Sequence, residues 1–138
     1  MRRWIKILCW AALLPLSAAT TAAQAAGPTT GPATDKLAEY AAQAGTPGNA
    51  ARGQTFFTQK HGREWSCASC HQSPPSTPGR HASTGKTLQP LAPAFNPERF
   101  TDARKTEKWF RRNCQDVLQR ECSAREKADV MAYLISIQ

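Results

Sequence analysis

The 138-residue chain lacks several features that would place it in other classes of protein. Its long apolar run, "ILCWAALLPL", is too short to cross a bilayer. No cysteine suited to lipid attachment follows that run, no internal repeat is visible, and no segment has the alternation typical of a strand. We find no predicted helix with a run of basic residues on one face, which argues against a nucleic-acid-binding protein. The sequence therefore predicts an all-α domain.

The N-terminal segment has the pattern of a secretory signal peptide. Three basic residues precede the apolar run, and "AQA" at 23–25 fits the A-x-A cleavage rule. We interpret 1–25 as a signal peptide, 26–33 as a flexible leader and 34–138 as one domain, with a retained N-terminal anchor as the alternative. Export makes the periplasm the expected location, and cleavage lowers the formal charge from +8 to about +5. A basic protein in that compartment suggests an acidic protein partner.

Helical periodicity and capping signals predict about four helices in the domain. They are expected at 34–45, at 49–62, from just after Thr101 to about Asn113, and from Ser123 onward. Ser123, with Glu126 three residues later, forms a capping box. Between the second and third helices, residues 72–97 are rich in proline and show no apolar periodicity. Such a long loop is expected to wrap around something.

Cys67, Cys70 and His71 form a C-x-x-C-H signature in "CASCH". Two thioethers would attach a haem, and the adjacent histidine would ligate its iron from the proximal side. A thioredoxin-like redox pair would need a parallel sheet, which is not predicted. A zinc site would need a second ligand pair, and the spacing of Cys114 and Cys122 fits that poorly. The pattern therefore indicates one covalently bound haem c, whose apolar surface would also supply part of the core.

With "CASCH" and the C-terminal "DVMAYL", the chain resembles the class I c-type cytochromes. The resemblance implies that the first and last helices of that fold cross, so that Gly53 and Phe57 meet Tyr133 and Leu134. It also implies that the carbonyl of Pro90 accepts a hydrogen bond from the proximal histidine and fixes its tautomer. A plain loop proline is the alternative for Pro90.

Ordinary members of the class use a methionine as the distal ligand. After the signal peptide the chain has one methionine, Met131, whose position in the last helix favours a core role. His61 and His81 could also reach the iron, although both have the setting of surface histidines. Trp109 and Asn113 are one helical turn apart, so Asn113 could face the haem or could simply end its helix.

The block "TGKTLQPLAPAFNPERFTDARKTEKWFRRNCQDVLQREC", residues 84–122, resembles the oxygen-binding cytochromes typified by sphaeroides haem protein. That resemblance implies that Asn113 is the distal ligand to ferric haem and is released on reduction, with Trp109 near the haem. It also implies a disulfide between Cys114 and Cys122. The bond could brace the ligand-bearing helix, which would stabilise the fold by about 2–3 kcal/mol in the chain-entropy model, or it could gate Asn113 by its redox state.

The function expected from this resemblance is that of an exported monohaem cytochrome. It would accept electrons and, when reduced, open its distal haem face to a small ligand such as oxygen or nitric oxide. The resemblance implies a dihaem c-type and a membrane b-type cytochrome as redox partners, with the protein itself a monomer. The alternatives are an ordinary electron-transfer cytochrome with Met131 or a histidine as sixth ligand, and a gas-binding protein without turnover. Whether it acts as a terminal oxygen-reducing component stays open.

Overall fold

The computed structural model describes residues 31–62 and 64–138. The chain forms five helices and two very short strands over these residues. They are α1 Pro32–Ala44, α2 Ala50–Thr58, α3 Ala68–His71, β1 Gly79–Arg80, β2 Thr87–Leu88, α4 Ala103–Leu118 and α5 Ala124–Ser136. The predicted signal peptide lies outside the described residues, as does most of the predicted leader. No helix in the described part of the chain is long and apolar enough to cross a membrane.

Several boundaries differ from those predicted. Helix α1 begins at Pro32, inside the predicted leader, because proline suits the first turn of a helix and the Gly31 N–H finds an acceptor in Thr34 Oγ1 at 2.7 Å. Helix α2 ends at Thr58, before the glycine expected to stop it. Helix α4 continues to Leu118, so Asn113 lies in its interior. The predicted capping box at the start of α5 is present.

Helices α2 and α5 cross through a close backbone contact, as the family resemblance implied. A Cβ atom on Gly53 would overlap the backbone carbonyl of Asp129 in α5. One turn further along α2, Phe57 packs against Leu134 and against Tyr133, whose ring centroid lies 5.5 Å from that of Phe57. The missing side chain of Gly53 thus allows the two helices to approach closely enough to bury these aromatic rings.

A buried carboxylate reinforces the same crossing. Asp129 is 6% exposed, and its two carboxylate oxygens accept hydrogen bonds from Arg52 Nε at 2.9 Å and Nη2 at 2.8 Å. The backbone N–H of Asn49, the N-cap residue of α2, donates to Asp129 Oδ1 at 2.7 Å. The bidentate ion pair with Arg52 compensates a charge that would otherwise be costly to bury. The bond from Asn49 fixes the start of α2 on α5.

A second core cluster joins α1 to α5 and holds the N-terminal half of α4. Tyr40 is fully buried, with Lys36 Nζ 4.7 Å and Lys127 Nζ 5.2 Å from its ring centroid. Both ammonium groups pair with Glu107 of α4, at 3.1 Å and 2.9 Å. Burial raises the pKa of Glu107, but the nearby Tyr40 hydroxyl and the two ammonium groups lower it to about 2. Phe110 adds an edge-to-face contact with Tyr40 at 5.5 Å.

The loop between α3 and α4 contains a small antiparallel ladder, which corrects the expectation of no strand. Gly79 pairs with Leu88, and Arg80 with Thr87. Two residues on each side are too few for an alternating pattern to be visible in the sequence. Elsewhere in the loop, the Pro75 carbonyl accepts hydrogen bonds from the two N–H groups of residues 91 and 92, each at 3.1 Å. The loop is therefore ordered by its own backbone.

We expect Gly53→Ala to destabilise the protein by about 3 kcal/mol, because the new methyl group would force α2 away from α5. Urea unfolding followed by far-UV circular dichroism measures this loss. Gly31→Ala is the matched control, since a Cβ there meets no atom within 4 Å. Equal stability of the two variants would show that the close helix crossing does not hold the fold.

Candidate functional site

The C-x-x-C-H segment forms the short helix α3, and two serines stabilise its start. The backbone N–H of Ser66 donates to Ser69 Oγ at 2.9 Å, and that of Ser69 donates to Ser66 Oγ at 3.2 Å. Gly79 of β1 lies against this turn, where a Cβ atom would overlap the carbonyl of Cys70. Neither Ser66 nor Gly79 was predicted from the sequence, although a serine just before a helix is a typical N-terminal residue.

Cys67 and Cys70 are both unpaired thiols. Cys67 packs on the α2–α5 core beside Phe57 and Leu134, and burial raises the pKa of its thiol to about 11. The attacking thiol of a thioredoxin-like pair needs a lowered pKa, so the environment of Cys67 argues against that use. The described residues contain no group of three or more His, Cys, Asp or Glu side chains that could hold a metal ion.

His71 ends α3, and burial keeps its imidazole neutral. Burial, with smaller contributions from Arg99 and His81, lowers the pKa of His71 to about 4. A neutral imidazole is the form that ligates a metal. Its Nδ1 atom is buried and has no hydrogen-bond partner among the described residues.

The hydrogen bond predicted between His71 and the Pro90 carbonyl is not formed. That carbonyl instead accepts from Arg99 Nε at 2.8 Å and from Asn96 Nδ2 at 3.3 Å. Arg99 also donates from Nη2 to the Gln89 carbonyl at 2.8 Å. Nothing local in the sequence distinguishes Arg99 from the other basic residues, so this contact could not be predicted. It brings a fixed positive charge to the histidine side of the site.

Asn113 lies on α4 and is half-buried. Helix α4 ends five residues later at Leu118 and is capped by Gln119, so Asn113 does not cap the helix. Its side-chain amide makes no hydrogen bond to any described residue, and it is not among the fully buried polar groups. Trp109, one turn earlier, is 45% exposed, and its ring lies 5.3 Å from the guanidinium carbon of Arg112.

A disulfide joins Cys114 to Cys122, with their Cα atoms 5.6 Å apart. Both cysteines are buried, and the pair is formed as the resemblance implied. Cys114 directly follows Asn113, while Cys122 directly precedes Ser123, the N-cap residue of α5. The bond therefore ties the residue next to Asn113 to the first turn of α5.

The alternative distal ligands are engaged elsewhere. Met131 is fully buried in the α1–α5 cluster with Tyr40 and Ala128, which is the core role that its sequence position favoured. His61 Nε2 lies 2.7 Å from the Phe56 carbonyl at the end of α2. His81 is held in the loop, where its Nδ1 accepts from the N–H groups of residues 83 and 84 at 3.3 Å.

The chain is similar in sequence to known proteins. Residues 43–134 match the family model described as "Domain of unknown function (DUF1924)". Cytochrome c-type protein SHP of Cereibacter sphaeroides is 44% identical over 102 residues, covering 71% of this chain and 78% of that protein. The chain belongs to the SHP family of c-type cytochromes. Cytochrome c'' of Methylophilus methylotrophus is 44% identical over 88 residues, covering 61% of each protein.

Solved structures agree with this assignment. Oxidized SHP, described as an oxygen binding cytochrome c, has a TM-score of 0.69 and 40% identity, covering 76% of this chain and 96% of that chain. Oxidized cytochrome c'' has a TM-score of 0.69 and 36% identity, covering 76% and 94%. The fold is thus the helical cytochrome c fold expected from the sequence.

The cytochrome carries covalently bound haem c, as its relatives do. The residues of the site fit a haem group. Two unpaired thiols flank one turn of helix, a neutral and partly buried imidazole follows them, and the apolar cluster that Cys67 joins includes Leu91 and Phe100. This donor set is the one that thioether attachment and axial ligation need.

Replacing Cys67 or Cys70 by alanine should abolish or strongly reduce covalent haem, because each thiol would form one of the two thioethers. The pyridine haemochrome spectrum of the purified exported protein measures this directly. Cys114→Ala and Cys122→Ala are matched controls, and both should keep the haem c spectrum. A wild-type protein without haem c, or full attachment in the Cys67→Ala variant, would contradict the site.

Proposed function

We propose that this cytochrome accepts electrons and, when reduced, opens its distal haem face to a small ligand such as oxygen or nitric oxide. Cys67 and Cys70 would hold the haem through thioethers, and His71 would ligate the iron from the proximal side. When bound, the haem supplies an iron that exchanges one electron and takes up a small ligand. The description of SHP as an oxygen binding cytochrome c supports this proposal.

The position of Asn113, whose side-chain amide pairs with no described residue, is the observation that carries the proposal. Ligation of ferric iron would give the Asn113 oxygen a partner. Helix α4 keeps this side chain on the same face as Trp109, and the adjacent Cys114 is fixed by its disulfide.

The ligand chemistry explains why Asn113 would leave on reduction. A neutral amide oxygen is a weak, hard donor, so it favours the ferric ion over the less charged ferrous ion. A histidine nitrogen binds both oxidation states, so His71 would stay bound. The solution structure of cytochrome c'', which has a TM-score of 0.65 and is 37% identical to this chain, is described as giving insights into haem-ligand detachment. That description supports release of a distal ligand here.

Release of Asn113 would be a movement of the side chain while the helix stays in place. The Glu107 ion pairs hold the first half of α4 to α1 and α5, and the Cys114–Cys122 disulfide holds the second half. With both halves attached, shifting the whole helix would break several contacts, whereas turning one amide breaks none. This supports bracing as the role of the disulfide, in preference to redox gating.

Met131 is a poor candidate for an ordinary electron-transfer site. Its side chain would have to leave a fully buried cluster with Tyr40 and Ala128 before it could ligate iron. The remaining alternative is a gas-binding protein without turnover. Consumption of oxygen in the presence of a reductant separates that alternative from an oxygen-reducing component.

Export to the periplasm and the redox partners are further parts of the proposal. The signal-peptide pattern in residues 1–25 supports export. A dihaem c-type cytochrome and a membrane b-type cytochrome are the donors that the family resemblance implies. The protein is proposed to act as a monomer that does not bind nucleic acid.

We expect Asn113→Ala to change the oxidised spectrum and to leave the reduced spectrum nearly unchanged. The ferric iron would lose its sixth protein ligand and become five-coordinate or water-bound, whereas in the reduced protein the amide has already left. Absorption and resonance Raman spectra of both oxidation states measure the coordination. An unchanged oxidised spectrum would overturn the assignment of Asn113.

Met131→Leu is the matched control for this experiment. It conserves volume in the α1–α5 core, so it should leave both spectra unchanged and destabilise the protein by less than about 1.5 kcal/mol. If it instead converts a low-spin reduced spectrum to a high-spin one, methionine is the distal ligand and the protein is an electron shuttle.

A further inference from the structure

Helix α4 carries a cluster of exposed basic side chains, called here the basic stripe. Its members are Arg104, Lys105, Lys108, Arg111 and Arg112. At 3.6 residues per turn they cover an arc of about 120° on one side of the helix. The expectation that no helix has a basic face was therefore wrong. The five residues do not form a continuous run, and only helical spacing brings them together.

Most of the basic stripe is not neutralised within the protein. Arg104, Lys105, Lys108 and Arg111 form no ion pair with any described residue, and Arg112 contacts the ring of Trp109. Four other cations are each paired with a carboxylate, namely Lys36, Arg52, Arg120 and Lys127. Of the two acidic residues of α4, Glu107 pairs with Lys36 and Lys127, and Asp116 is exposed one turn after Arg112. The stripe thus presents concentrated positive charge to solvent.

The basic stripe lies beside the candidate distal ligand. Trp109 and Asn113 follow one another along the flank of α4, between the stripe and the helix face that buries Val117. Arg112 connects the two regions through its contact with the Trp109 ring at 5.3 Å. A molecule bound on the stripe would therefore also cover Trp109 and lie against the helix that bears Asn113.

We propose that the basic stripe is the docking surface for the acidic face of an electron-donor protein. This inference rests on the proposed function, since it concerns the partner that reduces the same site. Concentrated charge of one sign steers an oppositely charged partner and raises its association rate. A membrane-binding helix would instead insert an exposed apolar face into lipid. Phe110 and Val117 of α4 face the protein interior, so Trp109 is the one large apolar side chain of this helix that is exposed.

The test compares two triple variants that lose the same total charge. Lys105→Gln/Lys108→Gln/Arg111→Gln removes three cations of the stripe. Lys60→Gln/Lys86→Gln/Arg125→Gln removes three exposed cations elsewhere. Stopped-flow absorption follows reduction of each ferric holoprotein by the hydroquinone of flavodoxin, an acidic protein that gives up one electron and becomes the semiquinone. At low ionic strength we expect the rate to fall about 10-fold or more for the stripe variant and less than about 2-fold for the control.

Reduced lumiflavin, a small flavin without a phosphate group, separates docking from the chemistry of the site. All three proteins should be reduced by it at the same rate and give the same reduced spectrum. A reduced wild type that keeps its sixth protein ligand would refute the proposed function whatever the stripe does. Equal losses of rate in the two variants with flavodoxin would refute docking on the stripe and would leave the proposed function standing.

A membrane surface is the outcome that would replace the proposal. Phosphatidylglycerol vesicles should bind the wild type and both variants equally weakly in a sedimentation assay. If the stripe variant alone loses vesicle binding while its rate with flavodoxin is unchanged, the stripe serves an anionic membrane and the docking proposal is wrong.

Discussion

The structure depends on how helix α4 is attached to the rest of the protein. Its N-terminal half is held by Glu107, whose carboxylate bridges ammonium groups from α1 and α5, and its C-terminal half by the Cys114–Cys122 disulfide. Between these attachments Asn113 has no hydrogen-bond partner among the described residues. In the proposed function, Asn113 on this firmly attached helix would provide a weak ligand at a fixed position. Such a ligand is suited to binding one oxidation state of an iron and releasing the other.

On the opposite side of the site, the residues that would hold the haem are firmly fixed. The C-x-x-C-H turn is capped by Ser66 and Ser69, and Gly79 lies directly against its backbone. His71 is kept neutral by burial, near the fixed charge of Arg99. Two covalent attachments and a strong nitrogen donor would hold the haem in both oxidation states. In the proposed function, this fixed side would serve electron uptake, and the side that carries Asn113 would serve ligand binding.

The sequence predicted the elements that have local or periodic signals. The capping box at Ser123 could be anticipated because helix caps are visible in the sequence, whereas the contact of Gly53 and Phe57 with α5 was implied by the family resemblance. The bond from His71 to Pro90 was predicted wrongly, because competition from Arg99 for the same carbonyl depends on tertiary structure. The ladder after α3 and the basic stripe were missed for a related reason. Each becomes visible only when residues distant in the chain, or spaced around a helix, are brought together.

The most direct test of the central claim is the coordination of the wild-type iron in its two oxidation states. Absorption and resonance Raman spectra of the oxidised and reduced protein, with stopped-flow binding of carbon monoxide to the reduced form, measure it. The account predicts an oxidised protein with a sixth protein ligand and a reduced protein that is five-coordinate, high-spin and rapid in binding carbon monoxide. A reduced protein that is six-coordinate and low-spin, and that binds carbon monoxide slowly, would contradict the release of Asn113.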